Sequence, residues 1–340
     1  MAEQEVASEI LTGKESGGGR RRKQQLERRR HFAERLQGQG LLLILAAVIG
    51  LMWWQSQYFM TVDNLFTAAA VVSILGIMAV TETMLIIAGE IDISIGSVMA
   101  VTSVVIGSLV GNGLNVWVAV ALALLLSAGI GLANGVLTVF LKINSLVVTL
   151  GMYSIVLGVA YVLSDSSTVI IDGSGFDWLG SAEIWRIPVP VFFFLAVWLI
   201  GQFVLRATAL GRHVYAVGDN AESAIRAGVR ADLLRVGLFV AMSMSAALAG
   251  VIVTSQLSSG APQIGDPYLL SVVTAVILGG ASLAGGRGTL RGTLISIAIL
   301  GVLQNGFALL QYSVYTEYIV QGGLLIFAVL TDQLVRRAER

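Results

Sequence analysis

Long apolar runs alternate with short polar segments along almost the whole chain. An α-helix rises 1.5 Å per residue, so about 20 residues cross the roughly 30 Å hydrocarbon core of a bilayer. On that scale the runs predict about ten membrane-spanning helices, at 40–56, 65–88, 95–111, 115–141, 145–164, 188–206, 232–255, 269–285, 291–311 and 318–333. The third, eighth and tenth are short, which predicts tilted, broken or re-entrant segments there. With its flanks, Thr208–Val229 is the longest polar stretch between two spans, and it divides the spans into two sets.

Placing the charges orients the spans. With residues 1–39 in the cytoplasm and the spans alternating, the inner segments are 1–39, 89–94, 142–144, 207–231, 286–290 and 334–340. Every Lys and Arg except Arg186 then lies inside or at an inner helix end. The outer segments carry Asp63, Asp165, Asp172, Asp177, Glu183, Asp266 and Glu317. This is the positive-inside pattern, with both termini cytoplasmic. The expected organisation is a polybasic tail at 1–39, a transmembrane domain at 40–333 with a cytoplasmic loop at 207–231, and a cytoplasmic tail at 334–340. Within the first tail, residues 24–37 predict a short helix with Leu26, Phe32, Ala33 and Leu36 toward the membrane surface.

Composition agrees. Hydrophobic residues make up 56% of the chain and charged residues only 12%, with a mean hydropathy of +0.83, whereas soluble domains are about a quarter charged. The chain has no Cys, which excludes disulfides, thiolate metal sites and cysteine nucleophiles. Its two histidines, His31 and His213, both sit in basic polar segments, a poor setting for a metal or catalytic site. A basic tail beside a membrane span sets orientation or meets anionic lipid, so nucleic acid is not an expected partner.

Two Gly-rich breaks fall at membrane depth. One is Gly89-Glu90-Ile91-Asp92-Ile93-Ser94-Ile95-Gly96-Ser97; the other runs from Gly279 through Gly288. Backbone there must satisfy its own hydrogen bonds or line a wet cavity, since lipid offers none. Spans two to five and seven to ten are offset by an odd number, so the two sets run in opposite senses, the layout of an inverted repeat with a site between its halves. The fold class expected is therefore an all-α integral membrane protein with an inverted-repeat-like core and broken helices.

Polar residues in this setting are candidates for a solute path. Glu82 lies within the second span, where a carboxylate costs roughly 2.5–3.5 kcal/mol, so it faces protein or water rather than lipid. It either walls a solute path or bonds a neighbouring helix, shared with Thr81 or Thr83. Glu90, Asp92 and Ser94 sit at the first break, where Asp92 or Ser94 is placed to cap the third span. Asn134 in span four, and Gln304 and Asn305 in span nine, suit a hydroxyl-rich solute or bind helices together. Gly129, Gly131 and Gly135 mark close helix packing, the last two in G-x-x-x-G spacing. Outside, the 165–187 loop holds Phe176, Trp178 and Trp185, with acids that could meet a partner domain.

In the 207–231 loop, Asp219 with Glu222 and Asn220 with Ser223 give two ways to begin a short helix over 219–229. Ala221, Ala224, Ile225 and Gly228 recur at i, i+3, i+4 and i+7, a small apolar stripe that fits a groove in another protein. Arg212, Arg226 and Arg230 surround it. Composition alone favours a plain solvated inner loop.

Three stretches together resemble the permease subunits of ribose-type ABC importers, the simple-sugar branch of the binding-protein-dependent transport families. MAVTETMLIIAGEIDISIGS at 78–97 carries the family's G-x-I-D-L-S-x-G core through Gly89, Ile91, Asp92, Ser94 and Gly96, with Ile93 where the family has Leu. TALGRHVYAVGDNAESAIRAGV fits through Thr208, Gly211, Arg212, Ala216, Gly218, Asn220, Ala224 and Gly228. AVILGGASLAGGRGTLRGT at 275–293 fits through Leu278, Gly279, Gly280, Ser282, Leu283, Gly285, Gly286, Gly288, Gly292 and Thr293. Where sugar permeases often have Y-E-L-D, this chain has Tyr268-Leu269-Leu270-Ser271, so the resemblance does not carry ribose over as the solute.

The resemblance implies cytoplasmic ABC ATPase subunits inside, a periplasmic or extracellular solute-binding protein outside, and a second permease, either a copy or a relative. It makes the second motif a coupling helix, with Gly211, Arg212, Gly218, Asn220, Ala224 and Gly228 as ATPase-coupling residues. The translocation pathway expected is Glu82, Glu90, Asp92, Ser94, Gln304 and Asn305. The reading is thus a non-enzymatic permease subunit of a bacterial inner-membrane importer for a monosaccharide or similar small polyol. It binds no cofactor itself: there is no G-x-x-x-x-G-K-[ST] loop, so a partner subunit uses the ATP. The alternatives are a proton-coupled secondary transporter using Glu82, Glu90 and Asp92, and a membrane scaffold that moves nothing.

Overall fold

The structure is a computed structural model that describes residues 39–171 and 175–339. The surface helix expected at 24–37 and the outer acid Asp172 lie outside the described residues. The chain divides after Ile44. The described part of the leading unit, residues 39–44, is helical and opens α1 (Gln39–Gln55).

Among the described residues, seven helices are long and apolar enough to cross a membrane. They are α2 (Val62–Ile87), α4 (Val116–Val139), α5 (Ser145–Leu163), α7 (Val189–Ala207), α10 (Ala231–Leu257), α12 (Leu290–Leu309) and α13 (Val314–Glu339). Three shorter apolar helices are α1, α3 (Ile95–Gly111) and α11 (Asp266–Leu278). Between the spans lie α6 (Trp178–Ser181), α8 (Ala209–Asp219), α9 (Ala221–Arg226) and four two-residue strands. These are β1 (Val169–Ile170), β2 (Glu183–Ile184), β3 (Ile187–Pro188) and β4 (Ser259–Gly260). The protein is therefore an all-α, multi-pass membrane protein.

The core lies on α2 and α10. The apolar stretch of α2 is 83% buried and that of α10 72%, against 22% for α5 and 11% for α13. In lipid, close packing and polar pairing hold helices together. The α4–α10 contact illustrates this: a Cβ on Gly131 would stand 2.6 Å from the Phe239 carbonyl oxygen, and one on Gly135 2.9 Å from Val236 Cα. Gly129 has nothing within 4 Å, so it takes no part in that contact. Buried hydroxyls add links: Thr102 to Ser127 at 3.0 Å, Thr254 to Ser103 at 2.7 Å, and Thr83 to Thr293 at 2.9 Å.

Two short helices begin where the backbone is broken. The segment after α10 leaves through Ser258, in the left-handed region at φ 46°, and β4 pairs with β1. It then folds back down α3. Gly260 lies against Gly107, the Ala261 N–H donates to Ser103 Oγ at 3.2 Å, and a Cβ on Gly265 would meet the Gly96 carbonyl oxygen at 1.9 Å. From Gly107 to Gly96 is about 16 Å of helix. The first turns of α3 and α11 thus meet well away from the C-terminal end of α3. The sequence reading placed this segment in an outer loop. It also carried the eighth span to 285, but α11 stops at Leu278 because Gly279 and Gly280 end it, Gly280 at φ 90°. Nor is the tenth span short, since α13 runs on to Glu339.

Candidate functional site

Four residues singled out for their polarity meet in one buried cluster at the first break. Glu82, Asp92, Ser94 and Asn134 all have no exposed surface. Asp92 Oδ1 accepts from the Ser94 N–H at 2.7 Å and from the Ser94 hydroxyl at 2.5 Å. The Asp92 N–H donates to Glu82 Oε1 at 3.3 Å. Asn134 Nδ2 donates to Ser94 Oγ at 2.9 Å and to Asp92 Oδ2 at 3.3 Å. Asp92 therefore does not cap the later N–H groups of α3; it closes a tight turn on Ser94, the residue just before the helix. These donors compensate only part of the cost of burying the Asp92 carboxyl. Glu82 bonds neither Thr81 nor Thr83, whose hydroxyls donate to the Met78 and Ala79 carbonyls.

The rest of the expected pathway lies elsewhere. Glu90 faces Arg235 of α10 in a half-buried ion pair at 3.5 Å. Asn305 exchanges reciprocal amide hydrogen bonds with Asn64 at 2.8 and 2.9 Å, joining the end of α12 to the start of α2. Gln304 is half-buried on α12. The six residues thus occupy three places.

A second convergence joins the three motifs. The Gly286 N–H donates to the Ile87 carbonyl at 2.8 Å. Gly218, in α8, sits on that hydrogen bond: a Cβ there would lie 1.7 Å from Ile87 O and 2.6 Å from Gly286 N. A Cβ on Gly285 would lie 2.7 Å from Gly218 O and 3.0 Å from Gly89 Cα. Gly218 is helical, so the contact rather than an unusual φ excludes a side chain. Tyr215, one turn earlier, donates its hydroxyl to the Gly288 carbonyl at 2.9 Å. The end of α2, the loop helix and the third motif meet backbone to backbone.

The 207–231 segment holds two helices, where the sequence predicted one. Thr208 begins α8, its hydroxyl oxygen accepting from the Gly211 N–H at 3.3 Å. Gly211, Val214 and Val217 face inward, while Arg212 is exposed. Of the two ways to begin α9, Asn220 prevails: its Oδ1 accepts from the Ser223 N–H at 2.9 Å. Glu222 pairs instead with Arg226 at 3.2 Å. The helix ends in a Schellman turn on Gly228, at φ 87°, with the Val229 N–H donating to the Ala224 carbonyl. Ala224 packs inward beside Val217 and Ala231, so the apolar stripe is split; Ile225 is the large apolar side chain left outward, 52% exposed.

Asn134 joins α4 to the first break, as the helix-binding reading of its amide expected, and its partners are Ser94 and Asp92. Arg235 and Tyr215 gave no signal of the residues they meet.

Among the described residues no group of His, Cys, Asp or Glu could hold a metal ion. A bundle of apolar helices, interrupted around buried polar groups, defines a multi-pass membrane protein. The chain belongs to the permease family described as "Branched-chain amino acid transport system / permease component", whose model matches residues 64–329. That family comprises non-catalytic permease components. The chain is 37% identical over 301 residues to the ribose import permease protein RbsC of Escherichia coli K12, covering 87% of this chain and 94% of that protein. It is 34% identical over 282 residues to the L-arabinose ABC transporter permease protein AraH of Azospirillum brasilense, covering 83% of each. To the ribose import permease protein RbsC of Bacillus subtilis it is 32% identical over 305 residues, covering 89% and 95%. No solved structure matches the chain.

Proposed function

We propose that this chain is the membrane-spanning permease subunit of an ATP-driven ABC importer that moves a monosaccharide or similar small polyol into a bacterial cytoplasm. The relatives named for ribose import and for an L-arabinose ABC transporter support the solute class. Cytoplasmic ATPase subunits, an outer solute-binding protein and a second permease complete the machine. The seven long helices and three shorter ones are the ten spans, and both termini are cytoplasmic. Contacts between distant segments support that topology. The ion pair of Arg186 with Asp63, at 2.8 Å, joins two outer segments, and that of Arg235 with Glu90 joins two inner ones. The short helices α3 and α11, meeting at their first turns, are the broken helices of the two inverted halves.

The observation that carries the mechanism is Gly218 on the Ile87–Gly286 hydrogen bond. An ATPase gripping α8 and α9 would move the inner end of α2 and the third motif directly, with no intervening side chain to absorb the motion. Arg212, Asn220 and Gly228 shape the gripped surface; Gly211 and Ala224 seat it on its own chain. The buried Glu82–Asp92–Ser94–Asn134 cluster fixes the broken turn that such a motion would shift. A path of three acids for protons receives no support, since Glu90 is held by Arg235. The test is affinity purification of the tagged chain from native membranes. An ATPase and a solute-binding protein should come with it, and that protein's ligand names the cargo. Solute uptake by the purified chain alone would contradict the proposal.

A further inference from the structure

An apolar groove of about 410 Å³ opens between α2, α7 and α10, with Leu210 of α8 also in its lining. Its wall is apolar even at Thr81, whose hydroxyl is turned back to the Met78 carbonyl. Along α10 it runs from Leu233 to Ala241, about 12 Å of helix. One bilayer leaflet provides about 15 Å of hydrocarbon. Gly237 lies in the middle of that wall, and a Cβ there would meet nothing within 4 Å. The groove is therefore open beside Gly237, the glycine among the α10 residues that line it.

Exposed arginines flank the lining residues at the end of the groove marked by Val204, Leu210 and Leu233. Arg206 is in the last turn of α7, Arg212 one half-turn after Leu210, and Arg230 just before α10. Asp232 is the acid nearest Leu233 in sequence, so the cations outnumber it at this mouth. An apolar slot one leaflet deep with cations at its rim has the chemistry of a lipid with an anionic head.

We propose that this groove holds one acyl chain of an anionic phospholipid, whose headgroup lies on Arg206 and Arg230. The lipid fills the space beside α8, the helix that carries Gly218, and so braces the segment through which force enters. The assignment to the inner leaflet rests on the topology proposed above; the occupancy does not, because the groove opens on hydrocarbon in either orientation.

The chain has no Cys, so Phe203→Cys, beside the lining residue Val204 but outside the groove lining and 64% exposed in the wild-type residue, gives a single labelling site. The full chain carrying a fluorophore there is reconstituted in phosphatidylcholine vesicles. Acyl-chain spin-labelled phosphatidylglycerol is then compared with spin-labelled phosphatidylcholine as a quencher. The anionic lipid should quench at the lower mole fraction, by about fivefold for each arginine that reaches the headgroup. Arg206→Gln with Arg230→Gln should make the two lipids equivalent. Equal quenching in the unsubstituted arginine background overturns the proposal. So does an absence of quenching by either lipid, which would mean that protein, such as a second copy of this chain, covers the groove. In a parallel arm, Gly237→Trp should lose phosphatidylglycerol that remains bound to the wild-type chain in native mass spectrometry; retention in full contradicts the site. Neither readout requires transport, so an incorrect solute or partner assignment would leave both intact.

Discussion

Gly218→Ala adds one methyl group at the point where the three motifs meet, and the consequence can be worked from the geometry. The methyl would stand 1.7 Å from the Ile87 carbonyl oxygen and 2.6 Å from the Gly286 nitrogen. Ordinary contact needs at least 3.4 Å, so α8 must retreat by more than 1.5 Å or the Gly286–Ile87 hydrogen bond must open. Both neighbours are backbone, so no flexible side-chain tip can yield. Overpacking costs about 1–3 kcal/mol, and the lost hydrogen bond about 0.5–1.5 kcal/mol more. The expected total, about 1.5–4.5 kcal/mol, falls on the contact between the loop helix and the transmembrane helices and leaves the helices themselves intact. The assay pairs the thermal melt of the purified chain with solute uptake and ATP hydrolysis by the assembled transporter. Uptake should fall well below the level set by protein abundance, while ATP hydrolysis continues. Gly113→Ala is the control. That residue disfavours a side chain through its φ, at 86°, rather than through contact, since it has open space around it. It should cost about 1–2 kcal/mol and leave uptake per molecule unchanged. A Gly218→Ala protein with wild-type stability and wild-type uptake would refute the reasoning.

Other substitutions test the remaining contacts. Asn134→Leu removes the amide that donates to Ser94 and Asp92, leaving a buried carboxylate short of a donor; the melt should fall by the equivalent of about 1–3 kcal/mol. Gly131→Leu should drive α4 off α10 and sharply lower the amount of folded protein recovered as a single gel-filtration peak, whereas Gly129→Leu, which points into open space, should be neutral by the same assay. Asn305→Leu breaks the reciprocal amide pair with Asn64 and should destabilise by about 1–2 kcal/mol, with a matching loss in the Asn64→Leu protein and little further loss in the double substitution.

The spans were legible because the bilayer imposes a length and a hydropathy that no soluble context imitates. The expected spans at 145–164, 188–206 and 232–255 correspond to Ser145–Leu163, Val189–Ala207 and Ala231–Leu257. Backbone-driven features were harder to read. The 258–265 segment reads as a polar outer loop, yet Gly260 and Gly265 let it run against α3, an approach set by the partner helix and invisible along the chain. Helix α8 left a usable trace, since Gly211, Val214, Tyr215 and Gly218 recur at i, i+3, i+4 and i+7, the spacing of one helix face. Polar residues announced their importance but not their partners. Asn305 reads as a neighbour of Gln304 in a solute path, while its amide bonds a residue 241 positions away. Glu90 and Asp92 are two residues apart in sequence, but one meets an arginine of α10 and the other an amide of α4.

The most direct test of a force-transmitting loop is whether the outward side chain of α9 touches an ATPase. Ile225→Cys places the chain's single thiol at a position that is 52% exposed in the wild-type residue. In native membranes it should form a cross-link of defined mass with the ATPase subunit, and bound nucleotide should change its yield. An active transporter whose residue-225 thiol forms no ATPase adduct, but reacts with a membrane-impermeant reagent added from outside, would contradict the account.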